Sequence, residues 1–157
     1  MVPERPVCDQ EVRDRVTSDL RTTFLLEAGA GTGKTRVLVD RYVRCVLAPE
    51  HGRGDVRTVA AITFTEKAAG ELRQRIREEL ETRGHSCGDG REAAAVSAAL
   101  DALDDAPIST IHSFAARLLR EVPVQARVDP AFEPLDELAG DLSRRRLWQD
   151  WLTVLAA

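Results

Sequence analysis

The chain has 157 residues, of which 43% are apolar, and this length and composition suit one globular domain with its own core. Its formal net charge of −4 excludes a protein that coats nucleic acid through bulk positive charge, so any DNA contact has to come from a few placed groups. The three cysteines form no Cys-x-x-Cys pair and no apolar run has the length of a membrane span, so we expect a cytoplasmic protein without a membrane contact.

The first third of the chain predicts a helix, a strand and a second helix. Apolar residues at helical spacing predict a helix from Asp9 to about Asp19, capped by Asp9 or its neighbour. The β-branched and apolar residues 22–26 predict a strand, and the glycines of residues 28–33 predict a turn directly after it. Helical spacing then resumes from Val37 to Leu47.

The step from strand to helix recurs further along the chain. Val59 to Phe64 predicts a strand, followed by a helix that Thr65 can cap and that runs to about Arg83. After an Ala-rich helix at 92–103, residues 108–110 predict a strand and 111–121 a helix. Strands alternating with helices predict an α/β fold with a parallel sheet. A last amphipathic segment, 138–155, carries Trp148 and Trp151, which we expect to pack in a core.

Residues 28–35 match the Walker A pattern, except that Ala28 replaces the usual first glycine. In such a loop the backbone N–H groups cradle phosphates, Lys34 reaches the β- and γ-phosphates of ATP, and Thr35 ligates Mg²⁺. The alternative is a glycine-rich turn that happens to precede Lys-Thr, but the predicted strand before it and helix after it favour nucleotide binding. The predicted phosphate-binding residues are Ala28, Gly29, Ala30, Gly31, Thr32, Gly33, Lys34 and Thr35.

Three stretches resemble motifs of the UvrD/Rep-type superfamily 1 DNA helicases and their AddA/RecB-like relatives. Residues 27–36 resemble the first helicase motif, in which alanine at the position of Ala28 is usual. Residues 62–72, Ile-Thr-Phe-Thr-Glu-Lys-Ala-Ala-Gly-Glu-Leu, resemble motif Ia, and residues 109–114, Ser-Thr-Ile-His-Ser-Phe, resemble motif Ib. Upstream, Gln10 resembles the Q-motif glutamine. Three motifs in this order are far more specific than a Walker A loop alone.

The resemblance implies that Gln10 reads the edge of adenine and that the guanidinium of Arg36 stacks on its ring. The alternative for Arg36 is a surface arginine at the start of a helix. We keep both interpretations at this point.

The resemblance also implies contacts to single-stranded DNA from motifs Ia and Ib, by Phe64, Thr65, His112 and Ser113. Each residue has an ordinary alternative. Phe64 can be buried at the sheet edge, His112 can be a polar residue at a helix start, and Thr65 and Ser113 can be helix caps.

The resemblance implies an incomplete RecA-like P-loop domain, with residues 1–125 forming the N-terminal part of domain 1A and 126–157 the start of a truncated helical subdomain 1B. The Walker B motif, the later ATPase motifs and the arginine finger of the family are missing from the sequence. Leu135-Asp136-Glu137 is not a Walker B motif, because Pro134 is incompatible with the central strand that this motif requires.

The implied function is the ATP-binding part of an ATP-dependent DNA helicase or translocase, moving 3′ to 5′ in DNA repair or recombination. ATP and Mg²⁺ are the expected cofactors, and single-stranded DNA and the rest of a helicase chain the expected partners. We expect the chain alone to bind nucleotide and, weakly, DNA, without hydrolysis or unwinding, and to self-associate through an apolar sheet edge. The alternatives are another P-loop enzyme such as a small-molecule kinase, a non-catalytic nucleotide-binding module, and a helicase–nuclease subunit.

Overall fold

A computed structural model describes residues 9–29, 31–48, 55–88 and 90–155. The chain divides into two compact units, Met1–Phe114 and Ala115–Ala157. The elements that lie within the first unit are α1 (Gln10–Ser18), α2 (Lys34–Leu47), β1 (Ala61–Thr63), α3 (Glu66–Ser86), α4 (Arg91–Asp101) and β2 (Ile108–Thr110). Helix α5 (Ile111–Glu121) begins in the first unit and ends in the second, which also contains α6 (Pro123–Ala126) and α7 (Glu137–Leu155).

The two strands form a small parallel sheet, with Ala61 opposite Ile108 and Thr63 opposite Thr110. A parallel pair requires a crossover connection, and α3 and α4 lie in the chain between the strands. The prediction of parallel strands alternating with helices is confirmed at this level. The first unit is helix-rich and compatible with part of a RecA-like domain.

The prediction of a strand at residues 22–26 is wrong, because this segment has irregular backbone. Its composition suits a strand, but a strand also needs a neighbour to pair with, and the described sheet contains β1 and β2 alone. Leu25 is 86% exposed, which shows that the segment does not occupy the buried centre of a sheet.

The core of the first unit lies where α2, α3 and α4 cover the sheet. Ile76 and Leu80, four residues apart on one face of α3, are fully buried together with Val43 of α2. Leu103, in a short 3₁₀ turn after α4, is also fully buried in this core. The hydroxyl of Tyr42 donates to the carbonyl of Val56 at 3.4 Å, and burial raises the pKa of Tyr42 to about 12.

The second unit differs from the prediction at its tryptophans. Trp148 and Trp151 stack on each other with ring centroids 5.0 Å apart, but they are 59% and 51% exposed, so the expectation that they pack in a core is wrong. An apolar helix face needs a second element to cover it, and the other elements of this unit are short, namely the last part of α5 and the four-residue α6. None of the described helices is long and apolar enough to cross a membrane.

Candidate functional site

The glycine-rich loop before α2 contains two residues in the left-handed region, Gly31 with φ 77° and Gly33 with φ 85°. Residues with a side chain strongly disfavour this region, so the two glycines allow the backbone to make the turn. The hydroxyl of Thr32 donates to the carbonyl of Gly29 at 2.8 Å and closes the loop on itself. Ala30, one of the predicted phosphate-binding residues, lies outside the described residues.

Lys34 begins α2, and its ammonium folds back over the loop. It donates to the carbonyl of Ala28 and, at 2.9 Å, to that of Gly29. Lys34 and Thr35 are both exposed. The structure therefore brings the described loop residues, the lysine and the threonine together at the N-terminus of a 14-residue helix, where the partial positive charge of the helix favours an anion.

Helix α1 contacts this loop through Arg13, a residue that the sequence analysis missed. Its Nη2 donates to the carbonyl of Thr32 at 2.7 Å, while its Nε and Nη2 donate to one carboxylate oxygen of Asp9 at 2.9 and 2.7 Å. Asp9 occupies the N-cap position of α1, as one of the two predicted candidates, but its side chain makes no capping hydrogen bond because the carboxylate is paired with Arg13. The spacing of four residues between Asp9 and Arg13 was the available signal for this ion pair.

A second arginine, Arg41 of α2, holds the backbone between α1 and the loop. Its guanidinium lies 5.2 Å from the centre of the Phe24 ring, which adds a cation–π contact. The same group donates to three backbone carbonyls, those of Val16, Asp19 (2.8 Å) and Thr22 (3.1 Å). The irregular segment at 22–26 is thus attached to α2 by a side chain and not by strand pairing.

The two residues predicted to contact adenine line one cavity of about 360 Å³ formed by α1, α2 and α3. Gln10 donates from its amide nitrogen to the carboxylate of Asp14 at 2.9 Å. Arg36 forms ion pairs with Asp40 at 3.0 Å and with Glu79 at 2.9 Å. Gln10 and Arg36 therefore share a cavity, and the exposed guanidinium of Arg36 is held beside it by two carboxylates.

The four predicted DNA-contacting residues lie where β1 and β2 lead into helices α3 and α5. The carboxyl ends of parallel strands meet at one edge of a sheet, which brings these two junctions side by side. Phe64 is 95% exposed, so its alternative, burial at the sheet edge, is wrong. Thr65, His112 and Ser113 are also exposed.

Threonine hydroxyls hold the starts of both helices at these junctions. Thr65 accepts from the N–H of Ala68 at 3.1 Å and caps α3, as predicted. At α5 the N–H of Ser113 donates to the hydroxyl oxygen of Thr110 at 3.2 Å. The alternative that Ser113 is the cap is therefore wrong, because Thr110 fills this position.

Glu66 connects the two junctions, and the sequence analysis did not single it out. One of its carboxylate oxygens accepts from the hydroxyl of Thr110 at 3.0 Å and from that of Ser113 at 2.9 Å. The Ser113 hydroxyl therefore has its one proton engaged by this carboxylate, while the Thr110 hydroxyl also lies 3.0 Å from the hydroxyl oxygen of Ser113 and donates its one proton to either acceptor. A glutamate in the first turn of a helix is favoured by the helix dipole alone, and this is why its role as a link was not visible in the sequence.

The sequence of the chain is similar to that of a known protein family. A model of the UvrD/REP helicase N-terminal domain matches residues 8–155. The chain belongs to the UvrD/REP helicase family. Similar curated proteins are the A-type subunits of ATP-dependent helicase/nucleases. The one from Desulforamulus reducens is 37% identical over 144 residues, 86% of this chain and 11% of that protein. The one from Natranaerobius thermophilus is 38% identical over 129 residues, 82% of this chain and 10% of that protein.

The chain thus spans about a tenth of the length of these UvrD/REP family relatives. The match confirms the family resemblance that the motifs indicated. Within the family assignment, the structure groups the predicted residues into a loop-and-cavity site beside α1 and α2 and a pair of strand–helix junctions at the ends of β1 and β2.

In this UvrD/REP family chain, Asp136 lies at the start of α7. The Asp136 carboxylate accepts from the N–H of Ala139 at 2.7 Å, immediately before α7. Residues 132–136 have irregular backbone and contain no strand. This arrangement agrees with the sequence argument that Leu135-Asp136-Glu137 is not a Walker B motif.

Proposed function

We propose that this chain is the ATP-binding part of an ATP-dependent DNA helicase or translocase and that it binds Mg-ATP on the loop before α2. The observation that carries the proposal is the loop itself: two left-handed glycines lead directly into Lys34 at a helix N-terminus, within a chain of the UvrD/REP family. The relatives are named as parts of an ATP-dependent helicase/nuclease, and this favours membership of a helicase–nuclease as the more specific alternative.

The described residues fit a nucleoside triphosphate with Mg²⁺. The ammonium of Lys34 donates to two loop carbonyls, and phosphate oxygens are stronger acceptors because they are charged. Thr35 follows in the first turn of α2 and offers its hydroxyl as an oxygen ligand for Mg²⁺. The metal would neutralise charge that develops on the phosphates.

For the base, we propose that adenine enters the cavity lined by Gln10 and Arg36. The amide nitrogen of Gln10 faces the carboxylate of Asp14, because a carboxylate accepts and cannot donate. The carbonyl oxygen of Gln10 is then available to accept from the 6-amino group of adenine. Guanine has an acceptor at this position, so the arrangement favours ATP over GTP.

At the two strand–helix junctions we propose weak contact with single-stranded DNA, centred on Phe64, Thr65, His112 and Ser113. In the complete protein, this contact would serve movement along the strand from 3′ to 5′ during repair or recombination. The exposed ring of Phe64 can stack on a base. Because Glu66 already engages the hydroxyl of Ser113, the backbone N–H groups at the helix starts are better placed than this hydroxyl to meet a phosphate. Such binding weakens as salt is added.

Hydrolysis also requires a carboxylate that orients water and a positive group on the γ-phosphate. No residue of the sequence matches the family motifs that supply these groups. We therefore propose that the chain alone binds nucleotide without appreciable turnover and that a complete helicase chain provides the remaining groups. We also propose that the chain self-associates through the apolar sheet edge expected from the sequence, and the exposed apolar side chains of α7 add a second surface for this.

The chain contains two lysines, Lys34 and Lys67, and these provide a matched pair for testing the nucleotide site. Isothermal titration with Mg-ATP should show at least about a tenfold loss of affinity in Lys34→Ala, because a charge-assisted contact to phosphate is removed. Lys67→Ala removes an exposed lysine at the start of α3 and should bind as the wild type does. Equal affinities of Lys34→Ala and wild type would contradict the proposal.

A further inference from the structure

We propose that Arg13 is a positioning residue of the nucleotide site, which fixes the orientation of the Gly33 N–H in the phosphate loop. This inference rests on the proposed function, since it concerns the same loop. Arg13 belongs to none of the matched motif stretches, yet it joins α1 to the loop across nineteen positions of sequence.

The geometry of the peptide bond links Arg13 to the Gly33 N–H. The guanidinium of Arg13 donates to the carbonyl of Thr32 at 2.7 Å. In a planar trans peptide the C=O of Thr32 and the N–H of Gly33 point in opposite directions. Holding the carbonyl towards α1 therefore turns the N–H of Gly33 away from α1 and leaves it free to donate to a phosphate.

Asp9 makes this contact stable. Its carboxylate accepts from the Nε and Nη2 of Arg13 at 2.9 and 2.7 Å, so the long side chain is held in one orientation beside the loop. The same ion pair offsets the positive charge of Arg13. Arg13 therefore acts on phosphate through the shape of the loop more than by direct attraction.

Position 33 is adapted to the presence of this guanidinium. A Cβ atom built on Gly33 would lie 3.0 Å from the Nη1 of Arg13, closer than ordinary packing allows. The φ of 85° at Gly33 independently disfavours any side chain. The loop and Arg13 thus form one closely packed unit, in which the absence of a side chain at position 33 lets the guanidinium approach the backbone.

The test compares Arg13→Ala with Arg15→Ala, a substitution of an exposed arginine on the same helix whose guanidinium lies near Phe24 and not the loop. Affinities are measured for Mg-ATP and for tripolyphosphate, which has no base to enter the cavity. Arg13→Ala should weaken both ligands about tenfold, since a charge-assisted hydrogen bond that shapes the loop is lost. Arg15→Ala should leave both affinities unchanged, and Arg13→Lys should restore part of the loss.

A second readout is the amide resonance of Gly33 in ¹⁵N-labelled protein, which should shift in Arg13→Ala and not in Arg15→Ala. If Arg13→Ala does not fold, Asp9→Asn keeps the arginine while weakening its support, and it should weaken tripolyphosphate about threefold.

Unchanged affinity for tripolyphosphate in Arg13→Ala, or in Asp9→Asn where that variant has to replace it, would overturn the inference. Loss of ATP affinity alone would do the same, because Arg13 would then act on the base. Lys34→Ala separates the two proposals: if it binds as tightly as wild type, the nucleotide site itself is wrong, and if it binds weakly while Arg13→Ala does not, only the role of Arg13 is wrong.

Discussion

The phosphate-loop region, residues 9–48, and the strand–helix junctions, residues 61–68 and 108–114, each place a family motif at the start of a helix, but they hold the backbone in different ways. At the junctions, paired strands lead into helices that Thr65 and Thr110 cap locally. In the phosphate-loop region the preceding backbone is irregular, α2 has no side-chain cap, and two arginines hold carbonyls from a distance.

This difference concerns how many interactions define each motif. A strand–helix junction is supported by backbone hydrogen bonds to a neighbouring strand and by a cap within three residues. The distant contacts of Glu66 with Ser113 and of Arg73 with the carbonyl of Ile108 add to this local support and do not replace it. In the phosphate-loop region, Arg13 donates to the carbonyl of Thr32 and Arg41 donates to that of Asp19, without strand pairing beside them. We therefore expect the loop region to respond strongly to substitution of these two side chains, and the junctions to respond to loss of the core beneath them.

The largest effect is expected in the core. Leu103→Ala should lower the free energy of unfolding by about 2–5 kcal/mol, because it leaves a cavity at a fully buried position. Leu25→Ala, in the irregular segment and 86% exposed, should change it by less than about 0.5 kcal/mol. Urea unfolding of both variants measures the two values. A comparable loss in Leu25→Ala would show that the segment is packed against other residues and that the contrast between the regions is wrong.

A smaller effect is expected at Arg41. Arg41→Ala should lower the free energy of unfolding by about 1–3 kcal/mol, because hydrogen bonds from a charged donor to partly buried carbonyls are lost. It should also increase proteolytic cleavage within residues 19–29. Arg44→Ala, one turn further along α2 and exposed, is the control and should remain within about 0.5 kcal/mol of wild type. If the two variants behave alike, the segment is held by something other than Arg41.

The sequence predicted the elements of the junction region well, because each was defined locally. The strand at 108–110 and the helix at 111–121 have the predicted bounds, and Thr65 caps α3. These predictions depend on residue spacing and on a side chain that reaches three residues along the chain. The relevant information lies within one short stretch of sequence.

The contacts that the sequence did not reveal are those between distant residues. The contact of Arg13 with Thr32 spans nineteen positions, and that of Glu66 with Ser113 spans forty-seven. Neither residue stands out by type, since charged side chains on a helix surface are usual. The prediction of a strand at 22–26 was wrong for a related reason, because strand formation depends on a partner elsewhere in the chain.

The smallest effect is expected at Thr65, and it tests whether a junction is held by its own cap. The Thr65 hydroxyl accepts from the N–H of Ala68 at 3.1 Å and satisfies one of the unpaired donors at the start of α3. Thr65→Ala should lower the free energy of unfolding by about 1 kcal/mol, whereas Thr65→Ser retains an accepting hydroxyl and should lose only a few tenths of a kcal/mol.

Thr82 is the control within the same helix, because its hydroxyl donates to the carbonyl of Glu78 and satisfies no unpaired N–H. Thr82→Ala should therefore be nearly neutral or slightly favourable, since alanine is the better helix former. If Thr65→Ala proves as neutral as Thr82→Ala in urea unfolding, the start of α3 is defined by the sheet and not by its cap, and both strand–helix junctions depend less on local side chains than the structure indicates.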